Sequence, residues 1–125
     1  MIDPKKQIRP TISSIQPKEN ISIEEKFQNE VLRPIIKMQH ELIIASFEHH
    51  LILNKIRISE QSDSQKKDLI QKIFKQNNRL KTDLIALIIG LFTLEEYLGY
   101  LSLTSQINKR IYSIIHMRII SIYVE

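Results

Sequence analysis

The stretch Ser22 to Ile58, SIEEKFQNEVLRPIIKMQHELIIASFEHHLILNKIRI, has helical periodicity with two apolar stripes instead of one. Its start is marked by Ser22 and Glu25, three residues apart, the reciprocal pairing that closes orphan amides at a helix N-terminus. One stripe runs Phe27, Val31, Ile35, Met38, Leu42, Ala45, His49, Ile52 and Ile56, the spacing of a face that meets a core. At about 100° per residue, Leu32, Ile36, Ile43, Phe47 and Leu51 fall on another side. Left in water, Ile36, Ile43, Phe47 and Leu51 would forgo roughly 1.5–3 kcal/mol each, a sum comparable to the net stability of a small domain. The first stripe is therefore the expected core face. The second needs flanking helices or a partner, and Ile36, His40, Ile43, Phe47 and Leu51 form the candidate partner-binding set. Pro34 lacks an amide and crowds the Glu30 carbonyl, which predicts a kink in the helix.

The chain holds 125 residues, the size of one domain, and buries roughly two thirds of its unfolded surface on folding. With no cysteine there is neither a disulfide frame nor thiolate chemistry. The first residues lack an apolar export run, and the uncharged stretch Leu84 to Leu94 is too short to span a bilayer. A soluble, cytoplasmic protein without membrane partners is expected. The net charge of +4 is uneven: residues 1–20 hold four basic and two acidic groups and residues 59–92 hold six and four, so each contributes +2. That surplus suits a nucleic-acid or acidic-protein partner.

Residues 1–21 carry Pro4, Pro10 and Pro17 with Lys5, Lys6, Arg9 and Lys18 and no regular period, which predicts a disordered or loosely docked basic arm. Residues 22–125 form the domain. After the first helix, Ser62 and Gln65 make another capping pair, and a second helix runs to about Ile89, with Gly90 placed for the left-handed conformation that ends helices. Its seam, Ile70, Ile73, Asn77, Leu80, Leu84, Leu87 and Leu91, alternates steps of three and four. Asn77 in that seam is either a device fixing register or oligomer state or an asparagine at a helix bend with Asn78. Thr93 and Glu96 open a short helix whose Leu94, Tyr97, Leu98 and Leu101 share a face. The last helix, from about Ser105 to Tyr123, gathers Ile107, Ile111, Ile114, Ile115, Ile119 and Ile122 on one side, opposite Lys109, Arg110, Ser113 and His116.

Catalytic signatures are sparse. Helical metal ligands sit three or four residues apart, and none of His40, His49, His50 and His116 has a carboxylate or imidazole at those offsets. His49 reads as a core histidine. Glu41 and Glu48 lie about 10 Å apart along a helix at about 1.5 Å per residue, too far to flank one glycosidic bond. Only Gly90 and Gly99 are present, so phosphate-loop and nucleophile-elbow patterns are missing. Lys72, Lys75 and Arg79 align on the second helix, bracketed by Asp68 and Asp83, which reads as a salt-bridged surface with net +1. No catalytic residue, metal ligand or cofactor is assigned.

At Phe27 to Ile35 (FQNEVLRPI) and Leu91 to Tyr97 (LFTLEEY) the chain resembles a family of short, all-helical bacterial proteins of unestablished activity, sometimes labelled glyoxalase. The similarity covers about Glu24 to Ile120. It implies an all-helical fold and, through that label, an enzyme with a cross-helix site; His40, His50 and Tyr97 are the residues this chain offers for one.

The expected architecture is a single all-α domain: an N-terminal arm, a long kinked first helix, a long second helix and two shorter C-terminal helices closing a small bundle. The leading expected function is a non-catalytic interaction module, a homo-oligomer or accessory subunit, that offers the second stripe to a protein partner. The alternatives are an RNA-associated protein using the arm and Lys66 to Lys81, and the cross-helix enzyme.

Overall fold

The computed structural model describes residues 3–11 and 21–125, and among them all regular structure is helical. Three N-termini follow directly from side-chain chemistry. Ser22 Oγ accepts from the Glu25 amide at 3.0 Å. Ser62 with Gln65, and Thr93 with Glu96, close full reciprocal boxes.

The stretch 23–53 is not one helix. α2 (Ile23–Phe27) passes into a π-helical turn (Gln28–Leu32), then α3 (Arg33–Met38), and after Gln39 at φ −90°, ψ 9° into α4 (His40–Leu53). The π turn lies just ahead of Pro34: the Arg33 amide bonds back to the Gln28 carbonyl, a wider step than the α-helical one. This spacing gives the proline ring room against the preceding turn. Lys55, at φ 54°, turns the chain out of α4 in the left-handed region without a glycine.

These two interruptions overturn the assignment of the stripes. Before Gln39 both stripes are enclosed, with Val31, Leu32, Ile35 and Ile36 all buried. Beyond it only the second remains inside: Ile43 and Phe47 are at 0% exposure and Leu51 at 6%. The supposed core stripe faces outward there, with Leu42 at 52%, Ile52 at 74% and His49 exposed. The partner-binding set of Ile36, Ile43, Phe47 and Leu51 is thus core. The Phe47 ring packs on Phe74 and Tyr123, both contributed by later helices. His49 is not a core histidine.

The second helix is also divided, into α5 (Asp63–Gln76) and α6 (Asn78–Ile89). Asn77 sits at the junction, where its Oδ1 accepts from the Leu80 amide at 2.9 Å and its Nδ2 meets His50 Nε2. It is a cap at a bend and a tie to α4, which replaces the register or oligomer role. α6 ends at Gly90 with φ −58° and ψ −17°, so the expected left-handed cap is absent and tight bonds from Leu91 and Phe92 to Ile88 and Ile89 make the turn. α7 (Leu94–Ser102) and α8 (Thr104–Tyr123) complete the fold. α8, at 20 residues, is the longest uninterrupted helix of the described chain rather than one of the short ones.

Side-chain ties show how these elements run. Gln39 donates to the Leu87 carbonyl at 2.9 Å and His50 meets Asn77, so α4 and α6 lie antiparallel. Arg110 reaches Gln28, Arg118 reaches His40, and the Tyr123 ring touches Phe47, so α8 lies parallel to the first run. α8 also packs on α5, α6 and α7. Its Ile107, Ile111, Ile115 and Ile119 recur every fourth residue, and all are at 0% exposure.

The segment at 3–11 is held to the domain. α1 (Pro4–Gln7), capped by Asp3, is followed by Arg9, which makes a two-pronged ion pair with Glu96 at 2.6 and 2.7 Å and donates to the Leu91 carbonyl. Lys5 Nζ donates to the Phe92 carbonyl at 3.0 Å. This part of the expected loose arm is therefore docked; the rest of it, at 1–2 and 12–20, lies outside the described residues.

Candidate functional site: two basic grooves beside the last helix

α8 contains Lys109, Arg110, His116 and Arg118 and no aspartate or glutamate. Its Ile107, Ile111, Ile115 and Ile119 are committed to the core, so these cations project to either side of the buried seam at helical spacing. On one side, against α5 and α6, lies a groove of about 350 Å³ with Phe74, Lys75, Lys81, Lys109, Tyr112 and His116 in its lining. Lys81 Nζ stands 5.5 Å from the centre of the Tyr112 ring, within the range at which a ring face attracts an ammonium. The His116 ring meets Phe74 edge-on with centroids 5.3 Å apart, and its Nε2 is buried without a partner. Burial pushes this imidazole below the ordinary histidine pKa, favouring its neutral form. Burial likewise raises the Tyr112 hydroxyl, with a smaller push from Tyr100.

The second groove, on the side of α3 and α4, holds about 530 Å³ and is lined by Arg33, His40, Ser113, Met117, Arg118 and Ser121 among others. Arg118 donates to His40 Nδ1 at 3.0 Å. An arginine only donates, so Nδ1 is the accepting nitrogen and the imidazole proton resides on Nε2. Burial, and then the like charge of Arg33, pull the Arg118 pKa down. Ser113 lines both grooves, which therefore adjoin across α8. No carboxylate lines either one.

Of the residues singled out beforehand, His40 belongs to this surface through its bond to Arg118. Ile36, Ile43, Phe47 and Leu51 do not, being core, and Asn77 is a cap. His50 is occupied by Asn54 and Asn77, and the Tyr97 ring lies tilted beside Tyr100 with centroids 6.0 Å apart, so the structure does not gather His40, His50 and Tyr97 into one site. Among the described residues no group of three or more His, Asp or Glu could hold a metal ion, and no helix is long and apolar enough to cross a membrane. Arg79 pairs with Asp83 at 3.7 Å on the surface. Lys75, from the same line, faces the first groove.

Sequence reading missed Arg33, Lys109, Tyr112, His116 and Arg118 as a set. The available signal was a 20-residue helix without a single acid. Comparison with known proteins finds no matching family model, no matching curated protein and no matching solved structure.

Proposed function

We propose that this chain is a non-catalytic, helical binding protein for single-stranded RNA, engaged across α8. The observation that carries the reading is the pair of adjoining grooves, rich in Lys and Arg, without a carboxylate in either lining. Phosphates neutralise such surfaces and release counterions. Tyr112, half-buried, adds an aromatic face beside Lys75, Lys81 and Lys109, the combination of stacking and charge used by sequence-tolerant single-strand binders. Interaction through Ile36, Ile43 and Phe47 has lost its basis, since those side chains have no exposed area to offer. Titrating a labelled oligoribonucleotide with wild-type protein and with a Lys75→Glu, Lys109→Glu double variant tests the reading. A loss of affinity of at least about tenfold in the variant is expected; unchanged binding contradicts it. Both lysines are exposed, so the substitutions leave the core intact.

A second reading, self-association or docking as an accessory subunit, is favoured by α7. There Leu94 at 73% exposure, Leu98 at 56% and Leu101 at 52% form an outward apolar stripe at i, i+4 and i+7. Light scattering across concentration tests it. A larger species that Leu98→Glu dissociates supports the reading, and a monomer at every concentration contradicts self-association.

A further inference from the structure

The second groove carries an electrostatic imbalance that the fold leaves open. Arg33 opens α3 and Arg118 lies on α8, and each is half-buried. Arg118 feels both burial and the like charge of Arg33. Among the described residues neither guanidinium is paired with a carboxylate. The side chain bonded to the Arg118 guanidinium there is His40, not an acid. Two partly desolvated cations are costly to hold together unless an anion joins them, and here they share a polar hollow of about 530 Å³.

We propose that Arg33, Arg118 and His40 form a receptor for a terminal phosphate monoester, so that the protein recognises phosphorylated RNA ends; the inference rests on the RNA-binding reading above. Charge matching selects the ligand. A phosphate monoester carries about −1.5 to −2 near neutral pH, enough to neutralise both guanidiniums, whereas an internal phosphodiester carries a single charge and leaves one arginine uncompensated. Planar guanidinium forks take phosphate oxygens two at a time. The His40 proton, placed on Nε2 by the bond from Arg118, supplies a further donor at the groove. From this end the strand crosses α8 at Ser113, which lines both hollows, and reaches Lys109 and Lys81 beside Tyr112.

The test compares oligoribonucleotides of one sequence, about eight nucleotides long, bearing a 5′-phosphate, a 3′-phosphate or two hydroxyl ends, each measured by fluorescence anisotropy. One phosphorylated form is expected to bind about tenfold tighter than the hydroxyl form. Arg118→Gln and, separately, Arg33→Gln abolish that preference while the hydroxyl form still binds. Arg57→Gln, at an exposed pair with Glu60, leaves the preference in place. Equal affinity for all three oligonucleotides overturns the inference and leaves the RNA-binding reading standing. Binding of none overturns both. A nucleoside monophosphate that competes as well as the phosphorylated strand replaces RNA ends with a small phosphorylated ligand and so overturns the proposal.

Discussion

Among single residues, Glu96 carries the most. One carboxylate caps α7, accepting from the Thr93 amide at 2.8 Å, and binds the Arg9 guanidinium, with only 9% and 7% of the two side chains exposed. Burial pushes the Glu96 pKa up, but hydrogen bonds from Arg9 and the Thr93 amide, and the charges of Arg9 and Lys6, outweigh it and hold the carboxyl below its ordinary value. A carboxylate depressed on folding stabilises the native state above its unfolded pKa, and that contribution is lost as pH falls through the folded value. Glu96→Gln leaves the Arg9 charge buried without its counterion and is expected to cost about 3–5 kcal/mol. In urea unfolding followed from neutral to acid pH, the variant should also lose part of the wild-type decline in stability. A variant as stable as wild type, with the same acid decline, would show that the pair contributes nothing.

Helix starts were the most legible elements, because a cap is a local contract between residues three apart. Ser62 with Gln65 and Thr93 with Glu96 close in the structure as their spacing indicates. Facing was less legible. An ideal wheel carried from Phe27 to Ile56 assumes one unbroken phase, but the π turn at Gln28–Leu32 inserts extra residue spacing and Gln39, at φ −90° and ψ 9°, bends the run again. The stripe assigned to the core beyond Met38 is consequently the outer one. Phe47→Ala is expected to cost about 3–5 kcal/mol, whereas Leu42→Ala, on the stripe that periodicity assigned to the core, should change stability by no more than about 0.5 kcal/mol. Denaturant midpoints of the two variants check this; equal losses would contradict the observed phase. Asn77 teaches the same lesson, since seven seam positions at regular spacing conceal a helix boundary. Asn77→Ala removes the cap and the tie to His50 and should lower stability by about 1 kcal/mol without changing oligomeric state, as sedimentation of the variant would show. A shift in association state would restore the register role.

For the molecule as a whole, the organising element is α8 rather than the stretch that first draws the eye. Four of its isoleucines, at every fourth residue, fill the centre, while the charged residues between them carry only basic charge to the two grooves. All-helical class follows from periodicity and caps. The grooves do not, because the first combines residues from three helices and the second from a turn and three helices that only tertiary packing brings together: Arg33 and Arg118 are 85 positions apart in a chain of 125. Modest net charge conceals them as well, since the acids, among them Asp68 and Asp83 on other faces and Glu96 buried against Arg9, lie outside both grooves. The most direct test of RNA binding across α8 is the dependence of the binding constant on salt. With roughly four phosphates neutralised at about 0.7 each for a single strand, a plot of log K against log salt should fall with a slope of about −3, becoming shallower by about 0.7 in Lys109→Gln and in Arg118→Gln. A slope near zero, or one unchanged in both variants, would contradict the account.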